Sequence, residues 1–279
     1  MKRLCIVALL FSLQQVYCQL PKKEGDIIVE MTEHAITPDA GAATERISTI
    51  FYFSKKGLLL EKVSYAKTSA TVPDYVEAYT YDKTGKPKQM VKLLSDGRKL
   101  QPVYETRYVY DKNGRLTDAS VFNAGKKSVF MKVANEYDSI GNLYKTINGQ
   151  DIYLEKEYTK DNRIEAIRQI MNDTLKWECN FTYKDAMRTG TFSTRYGAGT
   201  DFTKDEIVTK GKTANRYTSN SSTDDKIKYY YDETGLLEKT EYYTYLAATG
   251  YVLQSYITIK VTGNVNVELV KVLNEQIVE

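Results

Sequence analysis

Four aspartates stand in the same setting along this chain: Tyr81-Asp82 with Gly85, Tyr110-Asp111 with Gly114, Tyr137-Asp138 with Gly141, and Tyr231-Asp232 with Gly235. A carboxylate recurring at a fixed place could bind a cation or hold a turn. Loops that wrap a cation crowd several acids into a dozen residues, as in D-x-D-x-D-G. Here each motif carries its acid beside the tyrosine, without that density. The spacing therefore assigns the aspartates to turns, where the carboxylate accepts hydrogen bonds from backbone N–H groups two residues on. The glycine then supplies the positive-φ position of a hairpin loop. The tyrosine beside each aspartate is read as cross-strand aromatic packing.

Little else in the sequence points to a reaction. The 279 residues include one His and three Cys, too few for a clustered zinc site. Cys179 and His34 could form a nucleophile and base. Cys179 alternates with Trp177, Phe181 and Tyr183, which marks it as a buried thiol, and His34 reads as a surface residue before a loop. Gly197-Ala198-Gly199 reads as a flexible turn, and no phosphate-cradling loop is present. No cofactor is expected. A pair of carboxylates for polysaccharide or peptide hydrolysis stays open, because sequence spacing does not fix separations in space. Tyrosine makes up 24 of the 33 aromatic residues. Its ring offers apolar area with a polar tip, suited to stacking on sugars or anchoring a protein. Tyr75, Tyr196, Tyr217, Tyr230, Tyr242, Tyr243 and Tyr251 lie outside the motif and are the candidate ligand-binding residues.

Residues 1–18, MKRLCIVALLFSLQQVYC, place two cations before an apolar run of about half the length needed to span a bilayer. This is the layout of a cleaved secretory signal peptide, with Val16 and Cys18 before the cut. Lipidation of Cys18 is the weaker reading, since Gln15 and Tyr17 do not suit that signal. Cleavage takes Lys2 and Arg3 and lowers the formal charge from +3 to +1. A near-neutral chain has no electrostatic footprint for nucleic acid. Only Cys179 then remains, so no internal disulfide can form. With 42% hydrophobic and 27% charged residues, the chain is neither wholly disordered nor a polytopic membrane protein, and no integral membrane span is expected.

The elements that position these residues follow from a repeat. Looser copies of the motif run from Phe51, Glu157, Phe181 and Asp201, mostly 20 to 30 residues apart. An apolar residue stands six after the aromatic: Leu59, Pro87, Leu116, Leu143, Ile164 and Leu237. Between motifs the residues alternate with period two, as in Tyr104, Thr106, Tyr108 and Tyr110, the pattern of a half-buried strand. A second set of turns lies at Ser95-Asp96-Gly97, Asn123-Ala124-Gly125, Asn148-Gly149 and Asn172-Asp173. Strands joined by tight turns predict an all-β fold, an antiparallel meander of repeated hairpins forming an extended or curved single sheet with almost no helix. Residues 19–46 read as an N-terminal cap with a strand over Asp26–Met31, 47–245 as the array, and 246–279 as a closing hairpin ending in a strand over Val265–Leu273. Gly197–Asp225 is the weakest stretch, with a loop over Ser219–Asp225. The caps answer a physical need, because an open array leaves an unpaired strand edge at each end.

The Y-D-x-x-G-x-L motif resembles the YD repeat of the RHS/YD-repeat superfamily, and among its members most resembles the short secreted proteins of Gram-negative bacteria. The resemblance covers Ile47 to Tyr245 and implies a ribbon of β-hairpins. The toxin-enclosing shell of the large members is not implied, since their core signature is absent and no room remains for a toxin domain. The expected function is that of an exported, non-enzymatic binding or structural module of the cell envelope, periplasmic or at the cell surface. It would engage a protein or glycan through a sheet face or edge.

Overall fold

The computed structural model describes residues 27–36, 43–65, 73–96, 99–149, 151–184, 187–194, 197–208, 213–219 and 224–278. Its strands are β1 (Ile27–Ile36), β2 (Ala43–Phe53), β3 (Leu59–Tyr65), β4 (Pro73–Tyr81), β5 (Pro87–Ser95), β6 (Leu100–Tyr110), β7 (Leu116–Asn123), β8 (Val129–Tyr137) and β9 (Leu143–Asn148). Then come β10 (Ile152–Tyr158), β11 (Ile164–Met171), β12 (Thr174–Lys184), β13 (Met187–Thr194), β14 (Gly197–Val208), β15 (Thr213–Ser219), β16 (Asp224–Tyr231), β17 (Leu237–Leu246) and β18 (Gly250–Thr262). One helix, α1 (Val267–Val278), follows. The protein is all-β, a single antiparallel meander in which each strand pairs with its sequence neighbours.

The ends of the meander meet. β1 pairs with β2 along one side and with β18 along the other, with Val29 opposite both Phe51 and Val261. Every described strand therefore has two partners, and the expected unpaired edges at the ends of the array are absent. Engagement of a partner by strand addition to an edge is corrected accordingly, because those backbone groups already bond to each other. The region around Gly197–Asp225 is also corrected. Gly197-Ala198-Gly199 opens β14 opposite Phe192, Ser193 and Thr194, and most of the stretch belongs to β14 and β15. Residues 220–223 lie outside the described residues.

The repeat fixes the geometry of alternate turns. Each motif aromatic pairs directly with the apolar residue six positions later: Phe53 with Leu59, Tyr81 with Pro87, Tyr110 with Leu116, Tyr137 with Leu143, Tyr158 with Ile164 and Tyr231 with Leu237. A register shift falls just before the aromatic in all six, so each hairpin carries a bulge at the same place. Asp82 Oδ1 accepts from the N–H groups of Thr84 and Lys86, and Asp111, Asp138 and Asp232 repeat the pair of bonds. Gly85 has φ +84°, and in the degenerate copy Asn162 occupies the same left-handed position with φ 64°. Since strands alternate in direction, all of these turns fall on one rim of the sheet.

The closing hairpin is the clearest departure. β18 is its first strand, but Val265–Leu273 does not form the second; the chain turns into α1. Asn266 Oδ1 accepts from the N–H of Leu269 at 2.9 Å and caps the helix. Val270, Leu273 and Ile277 fall on one face and are buried. They pack with Ile27, Val29, Phe51, Phe53, Leu236, Leu237 and Ile259 in the main core, over the seam where β1, β2, β17 and β18 join. Asn274 fixes the helix to the last motif turn, accepting from Leu237 N–H at 2.9 Å and donating to Gly235 O at 2.8 Å. A smaller cluster of Val63, Val76 and Leu93 with Ile50 and Tyr52 occupies the opposite face of β2–β5.

Candidate functional site

On the face opposite α1, the register of four strands assembles a polar and aromatic cluster. Lys228 of β16 stands opposite Glu241 of β17, Glu241 opposite Tyr256 of β18, and Tyr256 opposite His34 of β1. The neighbouring row runs Tyr230, Lys239, Thr258. Side chains of directly opposed residues share a face, so residues from distant parts of the sequence are brought together here.

Glu241 is the centre. It is 6% exposed and accepts from Lys239 Nζ at 2.6 Å, from the Tyr243 hydroxyl at 2.6 Å and from the Tyr230 hydroxyl. Burial pushes its carboxyl up, but the three donors outweigh that and hold it at about 2. The Tyr243 hydroxyl, half-buried and bonded to that carboxylate, is shifted upward. Lys239 Nζ also lies 4.6 Å from the Tyr256 ring centroid, and Lys228 Nζ 4.5 Å from that of Tyr230. The His34 ring stacks on Tyr256 at 4.3 Å and 9°, and its Nε2 meets Thr258 Oγ1 at 3.0 Å. His34 is thus a mid-strand, partly buried residue, not the surface residue before a loop that its sequence position suggests.

The candidate tyrosines divide. Tyr230 and Tyr243 belong to this cluster. Tyr251 lies at its margin, exposed, edge-on to Tyr245 at 5.3 Å with Lys226 Nζ 5.9 Å from its centroid. Tyr242 alternates to the α1-bearing face, where burial first, then Tyr229 and Glu33, raise its hydroxyl. Tyr75 lies in β4 under Lys92 Nζ at 4.1 Å, away from the cluster. Tyr217 stands in β15 opposite Lys204 and Lys226, and Tyr196 lies outside the described residues. The sequence pattern does not single out Glu241, Lys239 or Tyr256, and it offers His34 only as a partner for Cys179. A signal existed in the matched alternations Lys226-Lys228-Tyr230 and Lys239-Glu241-Tyr243, but only the strand register shows that they face each other.

The motif tyrosines line a different place. Tyr81 and Tyr110, with Tyr79 and Tyr108, wall a cavity of about 370 Å³ between the sheet and Val272 and Gln276 of α1. Burial raises Tyr81 to about 12. Cys179 is half-buried, not fully buried, with Sγ 3.0 Å from where a Cβ on Gly190 would sit. One oxygen of each motif aspartate is taken up by its own turn. Among the described residues no group of three or more His, Cys, Asp or Glu is placed to hold a metal.

No family model and no curated protein matches the chain. Among solved structures it is similar to a crystal structure of TcdB2-TccC3-Cdc42, at 10% identity and TM-score 0.38 over 80% of this chain. It spans 15% of that one's length. A porin-like protein from Bacteroides uniformis is similar at 10% identity and TM-score 0.37, over 88% of this chain and 99% of that one.

Proposed function

We propose that this chain is an exported, non-enzymatic binding module of the bacterial cell envelope, of the short YD-repeat type, and that it engages a glycan or protein across the face of β16–β18. The Glu241 cluster carries this reading. A carboxylate that takes three donors and titrates near 2 is a poor proton donor or acceptor at neutral pH. It is well suited to hold tyrosine rings and ammonium groups in fixed positions. Tyr230 and Tyr243 are thereby held in place before any ligand arrives, and Tyr256 by Lys239 and the His34 ring, which lowers the ordering cost of binding. The YD-repeat assignment rests on the four full motifs and their common turn geometry, and export on residues 1–18.

Charges argue against a sheet that spans a bilayer. Arg168 pairs with both Glu157 and Glu178 across β10, β11 and β12, and Lys92 pairs with Glu77 at 3.3 Å on the other face. A spanning barrel needs an outward apolar band about 25 Å tall, which mid-strand ion pairs interrupt. Among the described residues no helix is long and apolar enough to cross a membrane.

The test is a binding screen of the purified chain against envelope glycans and envelope proteins. A ligand of this face should bind Tyr251→Ala at least tenfold more weakly and Val109→Ala, on β6, unchanged. Equal affinity for both variants would discard the face. Hydrolysis is a second reading because of Glu61, whose Oε2 is buried without a partner and whose carboxyl burial shifts upward, as a general acid requires. Release of product from polysaccharide or peptide, abolished in Glu61→Gln, would establish it.

A further inference from the structure

Hairpin connections fall on two rims, and the rim away from the Y-D turns collects exposed apolar side chains. Val129, Phe130 and Met131 open β8 there as three consecutive exposed residues, whereas on the other rim Ile140 stands exposed singly in the Asp138 turn. Phe130 is 62% exposed and its described ring neighbour is Tyr104, at 6.0 Å. Scattered exposed apolar residues are ordinary; a group at one rim marks an interaction surface.

Charge indicates what it meets. From Ala119 to Asn135 the chain contains no acid. Lys132 is already paired with Asp118, whereas Lys126 and Lys127 are exposed at the tip and join no ion pair among the described residues. Two uncommitted ammonium groups just before three exposed apolar side chains suit the boundary of an anionic bilayer, where apolar tips enter the acyl region and lysines reach phosphates. A second copy seated on this tip would bring like charges together.

We propose that the β7–β8 tip seats this rim on an anionic phospholipid surface, with Val129 and Phe130 inserted and Lys126 and Lys127 at the headgroup phosphates. The contact is peripheral and distinct from the Glu241 face.

Flotation of the purified chain with phosphatidylcholine vesicles, with and without phosphatidylglycerol, tests this. The chain should float with the anionic vesicles and lose most of that binding at high salt. Lys126→Ser with Lys127→Ser should lower the partition coefficient about 25-fold, at roughly fivefold per lysine. Phe130→Ser should lower it at least tenfold, and Val109→Ser, an exposed apolar residue near the opposite rim, should leave it unchanged. Matching circular dichroism spectra confirm that the variants are folded. Absence of flotation, equal flotation with zwitterionic vesicles, or equal loss in Val109→Ser would each overturn the proposal. So would a concentration-dependent dimer abolished by Phe130→Ser without vesicle binding, which would give the rim to a second copy.

Discussion

The hydroxyl of Tyr81 donates a 2.5 Å hydrogen bond to the backbone carbonyl oxygen of Leu59, the apolar residue that closes the preceding motif turn. Tyr137 makes the same bond to Leu116, Tyr158 to Leu143 and Tyr183 to Ile164. The residue after the motif glycine adds a second link, with Arg115 over Tyr137 at 4.7 Å and Lys86 over Tyr110 at 5.5 Å. Each repeat is thereby tied to the next through its aromatic residue as well as through the ladder.

These bonds give a graded expectation. Tyr137→Phe removes one buried-side hydrogen bond and should cost about 1 kcal/mol, lowering Tm by about 2–4 °C. Tyr110 keeps its cation contact but donates no such bond to Pro87 among the described residues, so Tyr110→Phe should cost less than half as much. Thermal denaturation of the two variants side by side decides it; equal losses would mean that ring packing, not the hydroxyl, carries the link.

Glu241 should contribute to stability in a way that acid removes. Its folded value, about 2, lies below that of a free glutamate, near 4.3. The carboxylate's contribution is therefore complete above pH 5 and is lost as pH falls through 2. Glu241→Gln should be destabilised at pH 7 by about 2–4 kcal/mol, because Lys239 loses its charge partner. The gap between variant and wild type should narrow as the medium is acidified from pH 5 to pH 2. Denaturant titrations at those pH values measure it, and a gap that stays constant would remove Glu241 from the acid limb.

The repeat was legible because its information is local. Asp82, Gly85 and Pro87 lie within six residues of Tyr81, and the turn needs nothing from elsewhere. Ring closure was not legible, since β1 and β18 are separated by most of the sequence and alternation alone does not name a partner. The same holds for the site: His34 and Thr258 meet across 224 positions. The helix was misread for another reason. Val265-Asn266-Val267-Glu268-Leu269 alternates, and Val270 and Val272 add β-branched residues, so the segment satisfies the strand pattern locally. Only Asn266 as a cap and the spacing of Val270, Leu273 and Ile277 mark the helix, and its burial against the seam resolves the conflict.

Asn274 should hold that helix in place. Asn274→Ala leaves the Leu237 N–H and the Gly235 carbonyl without their partner at a half-buried site, at a cost of about 2 kcal/mol. Hydrogen exchange should report faster exchange in α1 and in the Asp232–Leu237 turn, with the Asp111 turn unchanged. Uniform acceleration across all turns would show a global loss instead of local undocking.

Two glycines separate backbone strain from packing. Gly57 and Gly125 both sit at positive φ, +77° and +73°, so alanine at either costs about 1–2 kcal/mol in strain. At Gly125 a Cβ meets nothing within 4 Å. At Gly57 it falls 2.6 Å from Leu269 Cδ2 of the helix, closer than atoms can approach, so the Leu269 side chain must turn away and give up part of the packing of α1 on the sheet. Overpacking of this kind adds about 1–3 kcal/mol. Gly57→Ala should therefore be the more destabilised of the pair, with a weakened helical signal at 222 nm, while Gly125→Ala keeps the helix. Equal Tm losses would show that the Leu269 side chain yields without cost and that the seam does not depend on its packing.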